Sequence, residues 1–588
     1  MIATAGVYLV WSPSDWSPER TIGSVFSLLA CAPLLLSLSR SLTESPVPSV
    51  WELIWFAGCT GLSARVLLRT VNPSRLISEF HVPDRLPWMG LTCVSIVSCV
   101  WWFLQSRYYL LGFRLGFNDV GHFSQRVANT AEGRGFLLET PILPPFWDHF
   151  NPGLLLLVPL WKLWPSVELF LFLQATVLAA PALILASIAK TSGFSTLVSI
   201  LWGVAWLLHP SIGQINLAYT YGWHPVTIAI PLILLGYRLA LSRRNWLATL
   251  FVLMGCSFEE GVIVVVGCFA FAMILYTTYD KDPMAPWLPR WNRTTWLWIF
   301  VISCVAFTMI YSLSGLAPFQ KGRFARLGNT PLEIIASPII KPQEFFGLLF
   351  RERNFSFLAL LTLPFVVCLQ RRSLWVWIAV LFPLGVLLVW EHLPAQSIAF
   401  QYASCLLPIF FFGSISSVPQ REWNNREQTG LNLACASIIC SLILGLSIGQ
   451  FPWSQASLLD VLGKTYELKN ENQRIVGDPD QQWLLQQIAS LRETRPTTLA
   501  TGRIATHCVG FEDIETVGQF LQRRDSLAKL DPTLASPLLR FESLIIDLNE
   551  GFQQTPEETQ QVRHEAKELG YRLIDAKYGL EIYRRRQD

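Results

Sequence analysis

Charge is scarce in this chain of 588 residues: Asp, Glu, Lys and Arg make up 15% of it, where soluble domains carry nearer a quarter. That shortfall argues against an ordinary soluble globule. The formal net charge of +3 offers no cationic footprint, so no nucleic-acid partner is expected. No basic residue precedes Arg20; the basic start of a secretory signal peptide is missing and no cleavage is expected. The 12 cysteines form no CxxC pair and no metal-ligand spacing, and all but Cys508 lie in or beside apolar runs. They are expected to be small core residues rather than a disulfide framework. P-loop, Rossmann and HExxH patterns are absent, and the one GxSxG match, Gly445–Gly449, lies inside an apolar run, so none of them supports another class of enzyme.

Apolar sequence is abundant. Hydrophobic residues are 52% of the chain, and runs approaching the roughly 20 residues needed to cross a bilayer recur from about residue 21 to 450. Thirteen membrane segments are expected, near 21–39, 51–67, 88–110, 166–189, 194–212, 224–241, 245–258, 260–278, 294–313, 355–370, 373–390, 400–418 and 430–449. The pair 245–258 and 260–278 also suits one broken or re-entrant element. Many of the 24 Trp residues flank these runs, as in interfacial belts. Arg65, Arg69, Arg75, Arg85, Arg238, Arg243, Arg244, Lys281, Arg290, Arg293, Arg371, Arg372, Arg421 and Arg426 fall on one side if the helices alternate. The positive-inside rule makes that side cytoplasmic. The N-terminus is then inside, and an odd number of crossings leaves the tail outside the cytoplasm.

Residues 1–450 carry a net charge of +7 and residues 451–588 a net of −4, and the apolar pattern stops at about 455. Short strands are expected at TTLATG and SLIIDL. A helix is expected over 555–569, with Thr555 as N-cap, Pro556 first, Glu558 completing a capping box and Gly570 ending it. A hairpin turning near Tyr578-Gly579 follows. The chain thus reads as an all-α polytopic membrane domain followed by a small α/β domain. Its expected divisions are N-terminal helices (1–87), a main membrane domain (88–450) with long outer loops 111–165 and 314–354, and a soluble unit (455–588). The stretch 152–164 is too short to span and suits an interfacial amphipathic helix.

Ionisable residues beside a membrane are costly and each needs a reason. Asp119 and His122, three apart in FNDVGHFSQ, can share a helix face, and a carboxylate there can take a proton from a hydroxyl. Asp119 equally suits a helix cap. Asp148 beside His149 can orient an imidazole or bind a cation, or end an interfacial turn at Pro152. His224 opens the sixth segment on the same outer side. Glu259 and Glu260 interrupt an apolar stretch and, as helix neighbours, point about 100° apart, so one is expected to face a cavity. Lys321, Arg323 and Arg326 form a basic outer loop suited to phosphate oxygens or to lipid headgroups. Glu391, His392 and Tyr402 bracket the outer end of the twelfth segment. No ligand set for a metal is complete; Asp119, His149 and Glu259 are the candidates if a divalent cation takes part.

The order of these motifs resembles a family of predicted bacterial membrane proteins of unknown function. Asp119, Gly121, Phe123 and Gln125 are followed by His149–Pro152, by Pro159 and Gln174, by His224-Pro225 and Pro231, by Glu259-Glu260, and by Tyr402 ahead of Pro408. The resemblance covers about 88–420. That family is distantly similar to the GT-C glycosyltransferases, which implies a multi-helix bacterial inner-membrane enzyme. It would move a sugar from a polyprenyl-phosphate carrier to an extracytoplasmic lipid, glycan or protein. Asp119 matches the acidic catalytic position of those enzymes. Asn118 and Val120 depart from its usual neighbours, and Phe258-Glu259-Glu260 stands where a Lys-Glu-Asp is common. The resemblance gives Asp119 the role of base, Lys321, Arg323 and Arg326 the carrier phosphate, and His122, Asp148, His149, His224, Glu259, Glu260 and Tyr402 the walls of the site. A transporter or flippase for lipid-linked or polar solutes, or an envelope scaffold without catalysis, remains the alternative.

Overall fold

The computed structural model describes residues 83–279, 289, 291–314, 322–366, 368, 374–416, 423–450 and 474–586. The segments expected near 21–39 and 51–67, and Lys321, lie outside the described residues. Helices occupy the other eleven expected segments, though their lengths differ. Four are long and apolar enough to cross a bilayer: Arg85–Leu111, Val167–Thr191, Glu260–Tyr279 and Arg293–Leu313. Thr196–Leu208 and Pro210–Leu217 together make a fifth, bent by 43°. Val226–Leu241, Asn245–Cys256 and Leu374–Val389 are shorter apolar helices. Residues 245–258 and 260–278, grouped above as one possible broken element, are two helices, and only the second passes the length test. The chain is a multi-pass, mostly helical membrane protein with a small sheet near its C-terminus.

Proline explains the break in the bent pair. The residue before a proline is pushed toward extended backbone, and His209, ahead of Pro210, has ψ 124°. Its Nδ1 then accepts the Ser211 amide at 3.3 Å, capping the second half. Small residues let the helices approach. A Cβ on Gly203 would stand 2.6 Å from the Ala182 carbonyl, so only glycine permits that contact. Trp102, Trp202 and Trp206 fill the bundle interior, and the Trp206 indole donates to the Leu178 carbonyl at 2.7 Å, as a buried Trp requires.

The C-terminal unit is a five-stranded sheet in the order β2-β1-β3-β5-β4, built from β1 (Thr498–Ala500), β2 (Ile514–Thr516), β3 (Ser543–Asp547), β4 (Arg572–Lys577) and β5 (Leu580–Arg584). β1 pairs parallel with β2 and β3, and β5 runs antiparallel to β3 and β4. The β4–β5 turn holds Tyr578 at φ 55° and Gly579 at φ 77°, the positive pair that matches hairpin twist. Helix Pro556–Glu568 opens on a full capping box between Thr555 and Glu558, and Gly570 at φ 79° follows it.

This unit is fused to the loop after the first described helix. Phe113, Phe117, Phe123, Trp161 and Phe170 share one apolar core with Ile504, Cys508, Phe511 and Ile514. The buried Gln125 amide donates to the Phe511 carbonyl at 3.0 Å and accepts from the Gly510 amide at 2.8 Å. His507 stacks on Phe113 with centroids 4.1 Å apart. Within the same core, the stretch 152–164 is a 3-10 turn followed by Val158–Leu163. It buries Trp161 against Phe170 and leaves Leu155, Leu156 and Leu163 exposed.

Candidate active site

The chain leaves helix Arg85–Leu111, turns at Phe113 and enters a π-helical turn, Phe117–Gly121, that runs into helix His122–Ala131. A Cβ on Gly121 would stand 2.3 Å from the Phe117 ring, so glycine lets the wide turn close. The backbone is pinned from the facing loop: Gly116 N donates to the Thr220 carbonyl at 2.9 Å and Val120 N to that of Tyr221 at 3.1 Å. Asp119 sits in this turn, partly exposed.

His122 and Arg126, one helical turn apart, face Asp148. The Arg126 guanidinium donates to Asp148 Oδ1 at 2.6 Å, and His122 Nε2 lies 3.4 Å from Oδ2. Arg126 also lies 3.6 Å from Glu139. Asp148 accepts the His149 backbone amide at 2.7 Å. It therefore fixes the main chain of His149 and stands beside the ring of His122 without hydrogen-bonding it. The sequence suggested that Asp148 orients the His149 ring, but Glu260 does so: Oε1 lies 3.1 Å from Nδ1, and Oε2 accepts the Phe150 amide at 2.9 Å. The cause is reach, since an aspartate so close in sequence meets the neighbouring amide before the neighbouring ring.

Glu259 takes the other direction, 3.6 Å from His224 Nδ1, beyond hydrogen-bond length. His224 is placed by Gln174, whose Oε1 accepts its backbone amide at 3.0 Å, while Nε2 donates to the carbonyls of Ile215, Asn216 and Gly222. Phe123 packs edge-on against His122 and His224, and the His149 and His224 rings are 5.8 Å apart. Asp119, His122, Asp148, His149, His224, Glu259 and Glu260 thus gather from four separate stretches of sequence.

Burial raises Asp119 to about 7, with nearby Asp148 adding to the rise and His149 opposing it. Burial also raises Glu259, against the pull of His149. Burial would lower His149, but the Glu260 carboxylate overrides it and holds the ring up to about 9. Asp148 goes the opposite way to Asp119: burial would raise it, yet Arg126 and the two histidines keep it well below the ordinary range. The result is a fixed anion at Asp148, a cation at His149, and a carboxyl at Asp119 poised to exchange a proton near neutrality.

The basic loop closes on the same group of charges. A cleft of about 330 Å³ is lined by Gly322, Arg323, Trp390, Glu391 and His392. The Arg323 guanidinium stands 4.7 Å over the Trp390 ring, and burial lowers its pKa, with Tyr402, Glu260, Asp148 and Glu259 opposing the shift. Arg326 is engaged differently: Glu391 takes its Nε at 3.3 Å. Tyr402 Oη lies 3.0 Å from His392 Nε2 and joins the aromatic wall around Trp390. Among the described residues no three His, Cys, Asp or Glu side chains converge as a metal site; Asp119, His149 and Glu259 do not form one.

Sequence reasoning missed Arg126, Glu139, Glu515 and Arg523. The first was detectable, because it lies four residues after His122 on the same helix face. Glu139 sits between Arg126 and the C-terminal unit, where Arg523 lies 3.7 Å from Glu139 and 3.1 Å from Glu515. A buried charge chain therefore runs Asp148–Arg126–Glu139–Arg523–Glu515.

Among solved structures, the chain is similar to ArnT from Cupriavidus metallidurans bound to undecaprenyl phosphate, with a TM-score of 0.43 and 9% sequence identity, covering 84% of this chain and 98% of that one. No curated protein sequence matches it. A family model described as "Predicted membrane protein (DUF2079)" matches residues 110–460. That match takes in more than half of the chain and the site residues from Asp119 to Tyr402, and the protein belongs to this family.

Proposed function

We propose that the protein is a membrane glycosyltransferase that moves a sugar from a polyprenyl-phosphate carrier to a hydroxyl acceptor outside the cytoplasm. The observation that carries this reading is Asp119. Its carboxylate takes no hydrogen bond from any described residue, it is held near a neutral pKa by burial, it lies near the His149 cation, and it faces Tyr402, which Arg323 also faces. A general base works best with a pKa near the operating pH.

In this mechanism Asp119 removes the acceptor proton as the hydroxyl oxygen bonds to the anomeric carbon. The bond from that carbon to the carrier phosphate breaks, and the phosphate leaves with the electron pair. Arg323, oriented on Trp390, offsets the charge developing on the phosphate oxygens. His149, fixed by Glu260, adds positive potential. The basic connections of the membrane domain support thirteen crossings and a site facing away from the cytoplasm. A lipid-linked donor would reach such a site from the bilayer.

The test is transfer by the purified full-length protein from labelled polyprenyl-phosphate sugars to an envelope extract. Asp119→Asn keeps the side-chain shape and removes the basicity, so turnover should fall about 10²–10⁴-fold, the usual contribution of a general base. Transfer by Asp119→Asn at the normal rate would overturn the assignment. Gradient-driven uptake of a solute into proteoliposomes, without transfer, would replace it with a transporter.

A further inference from the structure

A second cluster of charge lies where the C-terminal unit meets the membrane domain, and the transfer mechanism does not use it. Arg114, just past helix Arg85–Leu111, is 4% exposed, and Arg503, just past β1, is 3% exposed. Nε and Nη1 of Arg114, and Nε and Nη2 of Arg503, are buried with no hydrogen-bond partner among the described residues. A buried cation without a counter-charge is strongly unfavourable.

Glu550 and Asp547 lie near Arg503 and favour its charge, but neither hydrogen-bonds its guanidinium. Asp547 and Asp480 both pair with Arg474, at 2.6 and 2.7 Å. Glu550 accepts the Arg503 backbone amide at 2.7 Å, and burial holds its carboxyl up to about 7. Aromatic rings support the two guanidinium groups: Tyr108 and Tyr109 lie 5.4 and 5.2 Å from Arg114, and Phe552 lies 5.1 Å from Arg503. The two arginines lie at one junction, since the Phe552 ring that faces Arg503 also abuts Gly116, two residues after Arg114. The amide of Gln553, beside Gly502, is also buried and unpartnered among the described residues.

We infer that Arg114 and Arg503 form an anion site at the junction of the membrane domain and the C-terminal unit, and that its ligand presents a phosphoryl oxyanion. Two guanidinium forks with free donors match the several acceptor oxygens of a phosphoryl group. Such a ligand neutralises both cations and ties the C-terminal unit to the membrane domain. Its source is either free phosphate or the phosphomonoester headgroup of a lipid. The site is independent of sugar transfer.

The experiment is thermal unfolding of the full-length protein in a non-ionic detergent, with inorganic phosphate against chloride at equal ionic strength. Dihexanoyl phosphatidic acid against dihexanoylglycerol forms the second arm. A stabilising shift with phosphate assigns the free ion, and a shift with the phosphatidic acid alone assigns a lipid headgroup. Arg114→Gln and Arg503→Gln should each weaken the half-maximal shift about tenfold or more, and Arg503→Lys should weaken it less. Hydrogen exchange on the unsubstituted protein locates the ligand without any variant: protection is expected at 112–116 and 501–505. No shift with either probe overturns the proposal, as does protection confined to 322–326 or a folded Gln variant with the full shift. None of these readouts depends on transfer, so failure of the enzymatic reading leaves this test intact.

Discussion

Glu260 uses its two carboxylate oxygens on successive residues: one lies 3.1 Å from the imidazole Nδ1 of His149, and the other accepts the amide of the next residue, Phe150, at 2.9 Å. A glutamate at the start of a membrane-crossing helix thereby sets both the ring and the main chain in the loop that follows helix His122–Ala131. Removing one partner of such a pair costs about 3–5 kcal/mol, so Glu260→Ala should lower the melting temperature markedly. The pH dependence follows from the raised His149. The stabilisation is fully present below the ordinary histidine value near 6.5 and is lost as pH rises through about 9. Glu260→Gln should flatten that loss, and thermal unfolding between pH 6 and 10 measures it.

The transfer rate should follow the ionisation of Asp119. A base must be deprotonated to act, and burial raises Asp119 to about 7. kcat/KM is therefore expected to be low at pH 5.5, to rise through 7 and then to level off. Because Glu259 is also raised, Glu259→Gln is the control. If that variant loses the pH dependence while Asp119→Asn keeps it, the base is Glu259.

Arg323 should matter for donor binding. A charge-assisted hydrogen bond contributes about 1.5–3 kcal/mol, so Arg323→Ala should weaken binding of the carrier-linked donor about tenfold or more. Arg326, already taken by Glu391, should have a smaller effect. Titration of each purified variant with the donor separates the two. Equal affinities for wild type and Arg323→Ala would assign the loop to the membrane surface.

Arg523 is shared by Glu139 of the membrane domain and Glu515 of the C-terminal unit. Arg523→Ala leaves two buried carboxylates facing each other, and a loss of about 3–5 kcal/mol is expected. Limited proteolysis should then cut loop 132–151 faster than in the parent protein. Unchanged cleavage would mean that the apolar core alone holds the two units together.

Topology is tested with a reporter active only outside the cytoplasm, fused after Asp588. Activity is expected. A signal from a cytoplasmic reporter alone would place the site and its attached sheet on the inner face.

What the sequence disclosed follows from interaction range. The helix at Pro556 and the turn at Tyr578-Gly579 were readable because a capping box and a positive-φ pair are written within a few residues. Helix positions in the membrane domain were readable from apolar runs, but the bend between Leu208 and Pro210 was not, since hydropathy continues through a proline. The polar residues of the site stood out because charge is rare there. Their partners did not: Glu260 is 111 residues from His149, and Gln519 is 380 from the Glu139 it reaches. Nothing local marks such pairs.

The bond between Gln125 and Gly510 spans 385 residues, which sets an order on biosynthesis. The ribosome makes the turn bearing Asp119 early, and the groups that back it, from Ile504 to Phe511, emerge only after all the described membrane helices. Until then Phe113 lacks the His507 ring that stacks on it, and the core it shares with Phe117 and Phe123 is only partly covered. The chain therefore carries an unfinished site through most of its insertion, and the late segment completes it once the helices are in place.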